Sequence, residues 1–114
     1  MKTSKLQGPA LDWAVARAWY GPEYDMSIPL FDDGLIFQPS ALWQHGGPII
    51  ERERIDVLGM VKGETGPWTA CLRKKDEAPP WRHITEGPTP LIAAMRCFVT
   101  SRLGDDVTVP DGLV

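Results

Sequence analysis

The apolar positions Leu91, Met95 and Phe98, with Ile92, Val99 and Leu103, recur at three- and four-residue steps, the spacing of one wide helical stripe that needs a core to face. Local signals bound it. Thr89 can accept a free backbone N–H, Pro90 suits the first turn and Gly104 can end the element, which predicts a helix over Pro90–Leu103. Near the start, Leu6 and Leu11 have the separation of a hydrophobic staple, and Leu11, Ala14, Val15 and Ala18 share one helical face. A first helix over residues 8–19 follows. Residues 55–61 and Trp68–Arg73 have the apolar, β-branched and aromatic content of strands, and the turn-rich stretch between them predicts a hairpin. Residues 81–85 add a third strand, after a polar connection that ends in Pro79-Pro80.

Two segments interrupt this pattern. Residues 21–38 carry Gly21-Pro22, Pro29 and Asp32-Asp33-Gly34, so they form a long loop with room for a short strand near residues 35–37. Around Gly46-Gly47-Pro48, proline after glycine can open a short helix over residues 48–54, while Ile49 and Ile50 would also suit a strand; the helix is the better match. The expected architecture is α+β. A small antiparallel sheet of about three strands is packed by the N-terminal and C-terminal helices, with a short central helix, in a single domain over residues 1–114.

Charge and composition narrow the function classes. Twelve Lys and Arg against fifteen Asp and Glu give a net charge of −3, which argues against general nucleic-acid binding. The N-terminus lacks the apolar run of a signal peptide, and no later run approaches the ~18 residues of a membrane span, so a soluble protein is expected. Cys71 and Cys97 fall in different elements and read as buried, reduced thiols. With His45 and His83 they are the soft metal ligands apart from methionine, and none sits in a close pair, so no metal or other cofactor is expected. Neither a nucleophile elbow nor a phosphate-cradling glycine loop is present, which argues against an enzyme; weak hydrolysis of a nucleotide stays as a minor alternative.

Three constellations carry chemistry that binding would use. Ser40, Trp43, Gln44 and His45 precede Gly46 and Gly47, joining an aromatic ring, polar groups and glycines that admit close approach, while a helix opening at Pro48 would aim free N–H groups at an anion. The plain structural alternative is a tight turn with Trp43 buried. Arg52 follows and can grip a phosphate, although Glu51 and Glu53 beside it would give the same letters on an ion-paired surface. Trp81 and Arg82 offer stacking with a cation for a base-like ring, or else an edge strand with exposed charge. Trp13 and Arg17, one turn apart on the first helix, form a candidate protein-binding patch, or pack beneath the long loop.

The blocks Ala10-Leu11-Asp12-Trp13-Ala14-Val15-Ala16, Gly46 to Glu53, Gly87 to Arg96, and Gly104-Asp105 with Val107 and Val109-Pro110 together resemble the NinX-like proteins of tailed phages, a family of unknown function. More broadly, the element order is similar to small phage proteins with an αβα-sandwich domain. Relatives often show Ser-Thr-Asp-Trp where this chain reads Ser40-Ala41-Leu42-Trp43, so polar contacts there have changed. The resemblance implies a phage accessory protein in the cytoplasm of an infected bacterium. By analogy with small phage proteins that sequester nucleotide signals of bacterial immunity, the expectation is a non-enzymatic binder of a small anionic, nucleotide-like ligand, a homodimer being compatible with that role. The alternative is a protein-interaction module acting on a host or phage protein.

Overall fold

The Thr89 hydroxyl accepts the Ile92 N–H at 3.1 Å, Pro90 follows it, and Gly104 leaves the helix at φ 88° while its N–H closes on the Thr100 carbonyl. These local signals produce the C-terminal helix over Pro90–Leu103. The computed structural model describes residues 1–21, 34–59, 66–74 and 76–113. A single 3₁₀ turn at Thr3–Lys5 leads to α1 (Gly8–Tyr20), α2 (Trp43–Glu53), β1 (Asp56–Leu58), β2 (Trp68–Arg73), β3 (Trp81–Gly87) and α3 (Pro90–Leu103). The three strands form one antiparallel sheet in the order β1-β2-β3. The fold is the α+β type that the sequence pattern implies, and among the described residues no helix is long and apolar enough to cross a membrane.

α3 is the centre of the molecule. Its apolar positions predict one buried stripe, yet Leu91, Ala93, Ala94, Met95, Cys97, Phe98 and Val99 are all buried, which leaves only the side of Ile92, Arg96, Thr100 and Leu103 half-open. The reason is that α3 packs against the sheet as well as against α1 and α2. On the sheet side small residues permit close approach: the Thr85 hydroxyl donates to the Ala93 carbonyl at 2.9 Å, and a Cβ on Gly87 would stand 2.6 Å from the Ala93 nitrogen. Toward the other helices, Phe98 meets Trp19 edge-on with ring centroids 6.0 Å apart, and Leu91 reaches Gly46. Each large side chain so buried contributes ~1.5–3 kcal/mol of transfer free energy. Cys71 and Cys97 are buried and unbridged, and burial pushes the Cys97 thiol up to about 12, far from a reactive range.

Several boundaries differ from the sequence reading. α2 begins at Trp43 rather than Pro48, five residues early, because extended Leu42 starts the helix and its carbonyl accepts the N–H groups of His45 and Gly46. Pro48 therefore lies inside the helix, where it only denies the Gln44 carbonyl, in an exposed first turn, its usual donor. β1 is three residues long, since Arg54 in a left-handed conformation turns the chain and sends Ile55 into the core. β3 runs two residues further than expected, to Gly87, and α1 one further, to Tyr20. Of residues 35–37, expected as a short strand, only Ile36 forms a β-bridge, and Phe37 fills the core between Tyr20 and His45, at centroid distances of 5.6 and 5.8 Å. Most of the long loop (residues 22–33) and of the hairpin turn (residues 60–65) lies outside the described residues.

Candidate functional site

The Ser40 to Gly47 segment is built as a packing element. The Ser40 N–H donates to Asp12 Oδ1 at 2.8 Å, tying the start of α2 to α1, and the Gln38 N–H donates to His45 Nδ1 at 2.9 Å. Burial pushes the Asp12 carboxyl up; the Ser40 N–H and hydroxyl, then His45, offset part of that effect. Ser40 and His45 are buried, His45 without any exposed surface, and a Cβ on Gly46 would lie 2.5 Å from the Pro39 carbonyl oxygen. Side chains sealed in this way do not meet a ligand, and since α2 opens at Trp43 no helix N-terminus at Pro48 aims free N–H groups at the loop. Trp43, at 57% exposure, and Gln44 face solvent, with Gly47 half-buried beside them.

The other sequence candidates have protein partners of their own. Arg52 lies over the Trp19 ring at 3.5 Å and bonds Glu53, which also takes Arg102 at 2.5 Å. Burial opposes ionisation of Glu53, but the hydrogen bonds and charges of Arg102 and Arg52 outweigh it and hold the carboxyl below its ordinary value. Arg82 bonds Glu77 at 2.7 Å and the Pro79 carbonyl, while Trp81 stays exposed at the start of β3. Arg17 sits 5.9 Å over the half-buried Trp13, and the two line a shallow depression of about 480 Å³ with Leu103, Asp106, Val107 and Thr108. β3 and α2 each pack on α3, so the Trp81 and Trp43 groups belong to different elements laid on the central helix.

A larger groove, of about 1140 Å³, opens between the N-terminal turn and the edge of β3, with Arg96 of α3 in its wall. The turn is pinned by the Thr3 hydroxyl, which donates to the Gly104 carbonyl at 2.7 Å, and by the Thr3 N–H, which donates to the Asp105 carbonyl at 2.8 Å. Lys2 and Lys5 are thereby held on one side, with His83 to Pro88 on the other. Arg96 is fixed from two directions: Nε donates to the Leu6 carbonyl and Nη1 to the Glu86 carbonyl, both at 2.8 Å. Among the described residues Nη2 has no hydrogen-bond partner and Lys2, Lys5 and Arg96 form no ion pair, although Glu86 and Asp105 also line the groove. Partial burial pushes the Arg96 pKa down.

The sequence reading passed over this site. One signal was available: Arg96 is the lone charge inside the run from Leu91 to Val99, and a charged residue on an otherwise buried helix needs a partner or a purpose. Lys2 and Lys5 gave none, because nothing local shows that Thr3 will fasten them beside β3.

No curated protein matches the chain. Residues 2–102, which take in every element above except the last residue of α3, match the family model described as bacteriophage P22, NinX. That span takes in the turn, the strand edge and the arginine of the groove, and the chain belongs to the bacteriophage P22 NinX family.

Proposed function

We propose that this NinX-family protein binds a small anionic, phosphate-bearing ligand in the groove beside β3, and that it works by binding rather than by catalysis. The observation that carries the reading is Arg96, a partly buried guanidinium held rigid by two carbonyls, with donors left over and no carboxylate partner among the described residues. Such a fork matches phosphate oxygens, and its orientation is fixed before a ligand arrives. Lys2 and Lys5 supply further positive charge. Thr3 and Thr85 in the walls donate their hydroxyls to backbone carbonyls, which argues for structural roles rather than nucleophilic ones. A phage accessory protein of this kind, in the cytoplasm of an infected cell, would act by withdrawing an anionic signal from a host defence.

The test is a melting screen of the purified protein against cyclic dinucleotides, cyclic mononucleotides, ADP-ribose derivatives and pyrophosphate, repeated with Arg96→Gln. At a hundredfold excess over its dissociation constant a ligand adds ~2.7 kcal/mol, a shift of about 10 °C for a domain of this size. The reading expects such a shift and its loss in the variant. An equal shift in both proteins would move the site elsewhere. A second reading, a protein-interaction module, rests on the Trp13 and Arg17 depression, where an aromatic ring and a cation remain partly open to a partner.

A further inference from the structure

The β3 edge of the groove departs from a regular strand. Its register against β2 slips between Ala70 and Leu72, so that His83 and Ile84 together oppose Cys71. His83 takes φ 55°, in the left-handed region that residues other than glycine enter at some cost, histidine more readily than most. Bulges of this type re-aim side chains, and strained residues of this type gather at ligand sites. Both bulge residues line the groove, and Ile84 leaves 63% of its surface in solvent, the most exposed of the large apolar side chains among the described residues. The His83 ring has no hydrogen-bond, ion-pair or aromatic partner among the described residues. Among the described residues nothing covers the bulge, and His83 and Ile84 both stay exposed. A flat ring laid against them accounts for both.

We infer that the ligand class of the groove is the nucleotide, with phosphate on Arg96 between Lys2 and Lys5 and the heterocycle against His83, Ile84 and Pro67. The inference rests on the anion-binding reading above and adds the second half of the ligand. The groove volume of about 1140 Å³ holds a phosphate and a base together, whereas a phosphate alone would fill a small part of it. Stacking of a base on an imidazole and an apolar side chain tolerates many bases, because each has a π-face.

Calorimetric titration with pyrophosphate and with the four common nucleoside diphosphates tests the two halves separately. Pyrophosphate and a nucleoside diphosphate share the phosphate pair and differ in the nucleoside. The expected result is binding of at least one nucleoside diphosphate about tenfold tighter than pyrophosphate, the lower part of the range for one stacked base. In the double variant His83→Gly with Ile84→Ser that advantage disappears and pyrophosphate binding is unchanged. Glycine adopts the left-handed backbone freely and both residues are exposed, so the variant folds, which its melting curve checks. Equal affinity for pyrophosphate and every nucleoside diphosphate in the wild type would overturn the inference and leave the anion site standing. No binding of any of them would overturn both.

Discussion

Replacing Gly46 with alanine tests whether the Gly-Gly pair is a packing device or a ligand approach. A Cβ at Gly46 would lie 2.5 Å from the Pro39 carbonyl oxygen and 2.7 Å from Leu91 Cδ2. Leu91 can turn aside; the Pro39 carbonyl cannot. It is backbone, held by the Gln38 turn that accepts the Ala41 and Leu42 N–H groups and by the Ser40 bond to Asp12. The clash belongs at the upper end of overpacking, ~3 kcal/mol, and the helix propensity of alanine returns ~1 kcal/mol, leaving a loss of about 2 kcal/mol. At ~2.1 cal/mol/K per residue, each kcal/mol moves the melting point of this chain by about 4 °C, so Gly46→Ala should melt about 8 °C lower. Gly47→Ala is the control. Outside its chain neighbours and the helix's own backbone no atom lies within 4 Å of a Cβ there, and the propensity gain is opposed by the clash of any Cβ with the Pro48 ring, so it should stay within about 4 °C of wild type. Circular dichroism melts of the three proteins decide the matter. A Gly46→Ala protein melting within about 2 °C of wild type, or a Gly47→Ala protein falling equally far, would refute the packing reasoning.

Other substitutions probe the clamps around this core. Thr3→Val removes the hydroxyl that bonds Gly104 and should cost about 1 kcal/mol, read as a melting fall of about 4 °C together with weaker anion binding as Lys2 and Lys5 come loose. Glu53→Gln should be less stable than wild type at pH 7 by about 1 kcal/mol, the scale of partly exposed ion pairs. Because the folded Glu53 pKa lies below its ordinary value, that stabilisation is complete above the ordinary value and fades as pH falls through the folded one, so the two melting curves should converge in acid. Asp12 has the opposite sign. Its folded pKa is raised, so its ionisation costs stability at neutral pH; Asp12→Asn, which keeps an acceptor for Ser40, should melt no lower than wild type at pH 7, with any advantage shrinking as pH falls through the Asp12 value.

Much of the fold was legible because its signals are local. The Thr89 cap, the Gly104 stop and the staple from Leu6 to Leu11 act within a few residues, and they place α1 and α3 within one residue of their boundaries. What depends on distant partners was not legible. The start of α2 is set by Leu42 and by packing of Gly46 on Pro39 and Leu91, so Gly-Gly-Pro, which reads as a helix opening, became the middle of a helix. The burial of α3 on all but one side follows from its place in the molecule, which a spacing of apolar residues does not encode. The groove was illegible for the same reason: Lys2, His83 and Arg96 are far apart in the chain, and the Thr3 bonds to Gly104 and Asp105 span about a hundred residues.

The central claim is that the groove at Arg96, rather than the Trp43 to Pro48 stretch of α2, receives an anion. The most direct test is a titration of the ¹⁵N-labelled protein with pyrophosphate, followed by amide and arginine side-chain NMR signals. The account predicts saturable shifts gathered at Lys2, Lys5, His83 to Gly87 and the Arg96 side chain. Shifts centred on Trp43 to Gly47, or none at all, would contradict it.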